Sequence, residues 1–566
     1  MRYLLLKHAL KNAWEHKGEA KVKPVMNKAI GEKPELKKDM GELGKKANEV
    51  VEEVNQMTRE QQERKLLEID PEALEEEEEE DEHKLPELQG KTSKIKMRFA
   101  PYPSGPLHLG HCRQAIPNHE YTKEKYDGEF YLVIDDTIGS EEKQIDPKAY
   151  EMIKEDIEWL GLKTDEVYLK SERMEKYYEW AEKIIDTGKA YVCNCTAKEL
   201  RKNREEGEEC NHRSRSVEKN HEEFKKMLEG KYEEGEAVLR IKTDMQHKDP
   251  AFRDRVLLRI SEREHPRVGK KYRVWPMLEF SWAVDDHLLG MTHILRGKDL
   301  AMETKMEKYI WDCLDIDYSN VEFIHTGRMN LEKVKISSSG SAEKIKKGEY
   351  TGWEDPRTWS IRSLRKRGIK PEAIKKFILS QGISESSSTV PLNKLYAENR
   401  EIIDSEARRF YFVPEPKKVR VENIPEMEVE VPMHPEKEMG RKKYKFKEGE
   451  RIFYLPEEDL EKKEKGDKVR LKGAFTIQVN GKNDSYTEAE FVTAEMEEDI
   501  TDILQWATEN YLPVEVTLTS GETERGYGEE KLEKVKKGEV IQFERYGFVK
   551  INEKTEEEIK ASYAHK

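Results

Sequence analysis

The sequence predicts a multidomain α/β protein, and three observations carry that prediction. The apolar strand segment Ile95–Met97 runs directly into RFAPYPSGPLHLGH (98–111), where a strand would hand over to a helix. From Lys94 onward, strand-like and helix-like stretches alternate, the pattern of a parallel sheet wound with helices. After Phe410 the chain breaks into short β-rich pieces separated by Pro and Gly, which fits one or two antiparallel β-barrels. At 566 residues the chain has room for roughly three to five domains.

Taken in order, residues 1 to about 70 read as amphipathic helices, with Leu4, Leu5, Ala9 and Ala13, then Val50, Val51 and Val54, at helical spacings. The acidic run Glu75–Glu82, followed by Pro86 and Gly90, reads as a solvated hinge, so 1–90 is expected to be a helical N-terminal extension with an acidic linker. Residues 91–189 form the first half of the α/β domain, with strands at KIKMRFA (94–100) and FYLVI (130–134) and a helix over Ala149–Gly161. Residues 190–270 break the rhythm with a Cys-bearing, highly charged segment and strands at AVLRIK (237–242) and RVLLRI (255–260). The α/β pattern returns over 271–340, which makes 190–270 an insertion within one domain. Helices are expected over 341–409 and barrels over 410–566.

Composition narrows the function classes. No apolar run approaches the ~18 residues that span a bilayer, and the three-leucine core of MRYLLLKHAL is too short for a secretory signal. Five cysteines, odd in number and mostly clustered, argue against a disulfide scaffold and for a reducing cytoplasm. The net charge of −15 neither supports nor excludes an RNA partner, because a local basic face decides that.

Two short motifs carry chemistry. In the first, His108 and His111 flank Leu-Gly at an expected helix N-terminus, where unpaired N–H groups and the positive dipole end favour anions. Two imidazoles there can donate to phosphate oxygens whose charge grows during attack on an α-phosphate. The second is VKISSS (334–339), 227 residues past His108, where Lys335 and the following hydroxyls suit a departing pyrophosphate. In the insertion, Cys193-x-Cys195 and Cys210-x-His212 offer three thiolates and an imidazole, the donor set of a closed structural zinc site. Cys112 and Cys313 lie in helical contexts and read as core residues.

With these motifs in place, the chain resembles the class I aminoacyl-tRNA synthetases and, among them, the archaeal-type glutamyl-tRNA synthetases. IDDT (134–137), VDDHLLGMTHILRGKD (284–299), GEYTGWEDPR (348–357) and LYAENREIIDSEARRFYFV (395–413) carry the resemblance along with HLGH and KISSS. It implies a Rossmann-like catalytic domain with an inserted acceptor-end-binding subdomain, a helical stem-contact region and C-terminal anticodon-binding barrels. It also implies ATP-dependent attachment of L-glutamate to tRNA(Glu) through glutamyl adenylate, with Mg²⁺. His108, Gly110, His111, Lys335 and Ser337 would line ATP, with His108, His111 and Lys335 catalytic. Arg98, Ala100, Asp135 and Arg296 would hold glutamate, the arginines clamping carboxylate and Asp135 receiving the amino group. Basic residues Arg357, Arg362, Arg365, Lys366 and Arg367 are expected to form an RNA phosphate-binding face.

Three positions depart from the family pattern: Ser338 stands where a second loop lysine is usual, Val133 where an arginine is usual, and Tyr102 where a small polar residue is common. The competing readings are a glutaminyl-tRNA synthetase, or a non-discriminating enzyme that also charges tRNA(Gln). A small-molecule nucleotidyltransferase with an HxGH turn and a non-catalytic tRNA-binding protein are the others. Arg296 favours glutamate, since a neutral amide needs no cation.

Overall fold

A computed structural model describes residues 2–15, 18–33, 40–69, 85–90, 92–139, 144–332, 334–496, 500 and 502–566. The acidic run 75–82 lies outside the described residues. The chain divides into two compact units, 1–84 and 85–566.

The first unit holds four helices: α1 (Arg2–Glu15), α2 (Val22–Glu32), α3 (Met40–Asn55) and α4 (Arg59–Ile69). Its core gathers Leu5, Ala9 and Ala13 with Val25, Leu43, Val50, Val54 and Leu66, the residues that recur at helical spacing. Gln62 crosses between turns, donating to the carbonyls of Gly18 (2.9 Å) and Val54 (2.8 Å).

The second unit begins with β1 (Lys96–Phe99), α5 (Leu109–His119), β2 (Glu129–Ile134), α6 (Ala149–Trp159), β3 (Glu166–Leu169) and α7 (Met174–Asp186). Strands β1, β2 and β3 pair in parallel in that order. The insertion supplies β4 (Ala190–Cys193), α8 (Ala197–Glu206), α9 (Val217–Leu228), β5 (Val238–Ile241), β6 (Val256–Ile260) and β7 (Val274–Pro276). These four strands form their own antiparallel sheet. The chain then returns through α10 (Leu278–Leu288), β8 (His293–Gly297), α11 (Ala301–Cys313) and β9 (Glu322–Thr326), with β8 and β9 parallel.

Thr292, just before β8, donates its N–H to the Lys96 carbonyl at 3.0 Å, and its hydroxyl accepts from the Lys96 N–H at 2.9 Å. This seats β8 beside β1, so the strands run β3-β2-β1-β8-β9, and the winding reverses between β1 and β8. In such sheets, ligands bind beyond the carboxyl ends of the strands at the reversal. Both faces of the sheet are buried: Phe130, Leu132 and Ile134 enter one core, while Tyr131 and Val133 enter the other. Val133 is therefore a core residue, 1% exposed, and an arginine there would be buried among apolar groups.

Next come β10 (Met329–Leu331), α12 (Ser338–Lys346), α13 (Ile361–Arg367), α14 (Pro371–Leu379), β11 (Ser388–Val390) and α15 (Leu392–Ile403). The expected helical stretch thus contains one strand, β11, which pairs in parallel with β10. Beyond α15 lie two seven-stranded sheets. The edge strands of one are Arg409–Phe410 and Phe412–Pro414, and those of the other are Ile503–Leu504 and Ala507–Thr508. In both, the two edges are consecutive pieces of chain, so each sheet must curl until its edges approach, as in a barrel. The sheets are mixed rather than purely antiparallel. Pro416–Ile424 runs parallel to Thr487–Thr493, and Leu512–Thr517 runs parallel to Ile559–His565.

Arg367, expected on an RNA face, is 1% exposed and donates to the carbonyls of Tyr563 (3.1 Å) and Ala564 (2.7 Å). It fastens α13 to the last strand. The sequence placed it in a basic helical run, and only the tertiary packing reveals that this turn faces inward. Arg357 is likewise held by Asp355 (2.8 and 2.7 Å), and Lys366 lies 3.3 Å from Glu354.

The RFAPYPSGPLHLGH turn is braced from a distance in sequence. At Gly105 an added Cβ would fall 2.5 Å from Cζ2 of Trp353, so the turn closes onto the GEYTGWEDPR segment only because glycine stands there. Gly105→Ala is expected to cost about 1–3 kcal/mol through overpacking. Trp353→Leu combined with it should recover most of that loss, a non-additivity read from denaturant unfolding of the single and double variants.

Candidate active site

A cleft of about 460 Å³ opens where the strand order reverses. Its lining includes Arg98 and Ala100 at the end of β1, His108, Gly110 and His111 at the start of α5, and Arg296 at the end of β8. Thr326, at the end of β9, and Val334, Lys335 and Ile336, on the loop before α12, complete it. Seven of the sequence-predicted residues therefore share one cavity: Arg98, Ala100, His108, Gly110, His111, Arg296 and Lys335. Ser337 and Asp135 are not in its lining.

The two histidines form a reciprocal cap. The His111 N–H donates to His108 Nδ1, and the His108 N–H donates to His111 Nδ1, each at 3.3 Å. The rings stack 3.7 Å apart and 7° from parallel. A Cβ at position 110 would sit 3.0 Å from the His108 ring, so glycine is what allows the stack. Burial holds His108 down to about 4 and His111 well below the usual histidine value, so both are neutral near pH 7. With each Nδ1 accepting, each neutral ring carries its proton on Nε2. The pair thus presents two N–H donors with no charge of its own.

This turn is pinned by the later helical segment. Leu109 N–H donates to the Trp359 carbonyl (3.3 Å) and Ile361 N–H to the Leu107 carbonyl (2.8 Å), which pairs His108 with Ser360. Asp156 accepts from the Leu107 N–H at 2.8 Å. Just past the lining, Ser337 caps α12, accepting from the Gly340 N–H at 3.1 Å. Ser338 is the first residue of that helix, and Lys335 is exposed on the loop before it.

The inner end of the cleft differs from a simple pair of free arginines. Arg98 donates through Nε and Nη2 to both oxygens of Asp286, at 2.5 and 2.6 Å. Arg296 donates to Glu307 at 2.7 Å and to Asp286 at 3.3 Å. Trp282 lies beneath three cations, with Arg296 at 4.4 Å, Arg98 at 5.0 Å and Lys170 at 5.6 Å from the ring centre. Asp286, Glu307, Trp282 and Lys170 were not identified as site residues from the sequence. Two adjacent aspartates following the apolar run WAV in the helix LEFSWAVDDHL were the available signal, since buried acids need partners.

Asp135 stands beside the cleft and outside its lining. Its carboxylate receives Lys170 Nζ (2.9 Å) and the Thr137 hydroxyl (3.0 Å), and Lys170 also donates to Ser281 (2.7 Å). Burial of Lys170 demanded an anion, and Asp135 supplies it, so this carboxylate holds the structure together beside the cleft. Asp136 is structural as well, taking Tyr150 (3.0 Å) and Ser171 (2.8 and 2.6 Å). Tyr102 lies away from the cleft lining, with its hydroxyl beside Gly139, and does not narrow the pocket.

In the insertion, the ligand atoms of Cys193, Cys195, Cys210 and His212 all lie within 4.8 Å of one another. Cys193 and Cys210 sulfurs are 3.7 Å apart, and His212 Nδ1 is 3.7 Å from Cys193 and 3.5 Å from Cys195. Tetrahedral zinc with Zn–S near 2.3 Å requires sulfur–sulfur edges of about 3.8 Å, so the set fits a metal of that size.

Among the described residues, no helix is long and apolar enough to cross a membrane. A family model described as tRNA synthetases class I (E and Q), catalytic domain, matches residues 94–405. Models for the anti-codon binding domain of the same class match residues 407–496 and 501–552. The glutamate–tRNA ligase of Thermococcus kodakarensis is 43% identical over 577 residues, spanning 100% of both chains. That of Pyrococcus furiosus is 43% identical over 583 residues, covering 100% of this chain and 99% of its own. That of Methanopyrus kandleri is 39% identical over 582 residues, with the same coverage. The reversal-point cleft, its paired histidines and these full-length likenesses agree: the chain belongs to the class I tRNA synthetases of the E and Q group.

Proposed function

We propose that this protein is a glutamate–tRNA ligase, joining L-glutamate to tRNA(Glu) through glutamyl adenylate, with release of AMP and diphosphate. The observation that carries this reading is a single cleft with neutral histidine donors and Lys335 at one end and two arginines at the other. ATP, with Mg²⁺, would lie along the start of α5, its phosphates against the Nε2–H groups of His108 and His111 and against Lys335. Glutamate would enter between Arg98, Ala100 and Arg296, bringing its carboxylate to the α-phosphate. The protein positions the reactants and supplies fixed dipoles, and no protein nucleophile is needed.

The C-terminal sheets would read the anticodon and the insertion would hold the acceptor end. Cys193, Cys195, Cys210 and His212 would hold a zinc ion whose contribution is structural, since all four positions are filled by protein. The intracellular, reducing setting expected from the cysteines suits this site. Charging of tRNA(Gln) with glutamate is the second reading.

Aminoacylation of tRNA(Glu) and tRNA(Gln) transcripts with labelled glutamate or glutamine tests the assignment. Glutamate transfer to tRNA(Glu) is expected, and transfer of glutamine alone would refute it. Metal analysis of protein prepared without added zinc should find about one equivalent. Cys195→Ser should lower both metal content and melting temperature, whereas folded, fully active, metal-free protein would reject the site. For the arginine, single removal leaves the buried Glu307 carboxyl without its Arg296 hydrogen bond and costs about 1–3 kcal/mol. The cleaner variant is therefore Arg296→Leu/Glu307→Leu, which should raise KM for glutamate on the order of 100-fold, with far less change in KM for ATP. Equal effects on both would assign Arg296 a purely structural role.

A further inference from the structure

The inner end of the cleft holds four charged side chains from four elements: Arg98 on β1, Asp286 on α10, Arg296 on β8 and Glu307 on α11. Their side chains are 4%, 0%, 3% and 0% exposed, so water does not screen them. From β9, His325 faces the group through Thr304, its Nε2 3.0 Å from the hydroxyl, and burial holds it in the neutral form. Asp285, next along α10, is turned to Arg173 (2.7 Å) and Tyr177 (2.6 Å).

The charge count is decisive. With both acids ionised, two cations meet two anions, and the pocket offers a substrate carboxylate no net attraction over the amide of the same shape. With one acid protonated, a single positive charge remains for a single carboxylate. Asp286 is bound by both arginines and stays ionised, burial alone being overridden by Arg98. Glu307 has one good partner, Arg296, and its Oε1 is buried without a hydrogen bond among the described residues. A bare carboxylate oxygen in that position is costly. A proton on it removes the unpaired charge, and the neighbouring Asp286 carboxylate favours that neutral form. Arg296 Nε is also buried without a partner among the described residues.

We propose that Glu307 is a specificity-determining residue that carries a proton in the working enzyme, leaving the amino-acid pocket one net positive charge matched to the side-chain carboxylate of glutamate. The proposal rests on the glutamate reading above. Burial raises the Glu307 carboxyl to about 8, with Arg296 opposing the rise and Asp286 adding to it. The sign follows: below that pH the pocket keeps its positive charge, and above it Glu307 ionises, the charge cancels and glutamate binding weakens.

The test is KM for glutamate, with tRNA(Glu) and ATP, from pH 6.5 to 9, alongside Ki for glutamine as competitor. The shared α-amino group of the two amino acids makes glutamine the internal control. KM for glutamate should rise up to about tenfold per pH unit above pH 8, with little change in Ki for glutamine. Glu307→Gln, which fixes the neutral state, should abolish the rise. A flat wild-type profile, or a Glu307→Gln profile that rises like the wild type, overturns the proposal. If that variant does not fold, calorimetry of the wild-type chain at pH 8.5 in two buffers of different ionisation enthalpy decides. Proton uptake with glutamate and not with glutamine supports the proposal, and equal uptake refutes it. Absence of glutamate charging at every pH would instead sink the functional assignment itself.

Discussion

Asp286 is the point on which the catalytic half depends. It sits on the helix that leads into β8 and holds one arginine from each strand flanking the reversal point. Two guanidinium groups buried this close would repel and could not remain without an anion between them. The carboxylate thus fixes the side chains at the ends of β1 and β8, and with them the shape of the cleft where those strands meet. Trp282, one turn earlier on the same helix, provides the aromatic floor for both cations.

The histidine end of the cleft is stabilised by a different means. There the chain uses neutral groups, with two imidazoles capping each other and donors turned outward. Its rigidity comes from residues some 250 positions later, Trp353, Trp359 and Ser360. A site built this way need not reorganise charge as a polyanion arrives. The contrast is physical: one end of the cleft is built from opposed buried charges, the other from directed, uncharged hydrogen-bond donors.

Much of this was legible in the sequence. Alternation along FYLVI and helical spacing in 149–160 follow from burial, which local sequence records well. The HLGH and KISSS segments converged as expected because they sit at element ends facing one crevice. What was not legible depended on partners distant in sequence. Nothing local to Asp135 announced the buried Lys170 it holds, and Arg367 looked like an RNA contact until its guanidinium was found on backbone carbonyls of the last strand. Strand β11 was hidden inside a helical stretch because three residues carry almost no periodic signal. In each case a charge or a short segment had its meaning set by a neighbour more than thirty residues away.

The curled C-terminal sheets have a consequence for colloidal behaviour. An open sheet ends in a row of unpaired backbone donors and acceptors that another chain can extend. Here the flanking strands are only two or three residues long and succeed one another directly along the chain, Arg409–Phe410 by Phe412–Pro414 and Ile503–Leu504 by Ala507–Thr508. Each sheet hides its own seam. Neither of these two sheets therefore leaves a long open border from which another chain could template the growth of fibres.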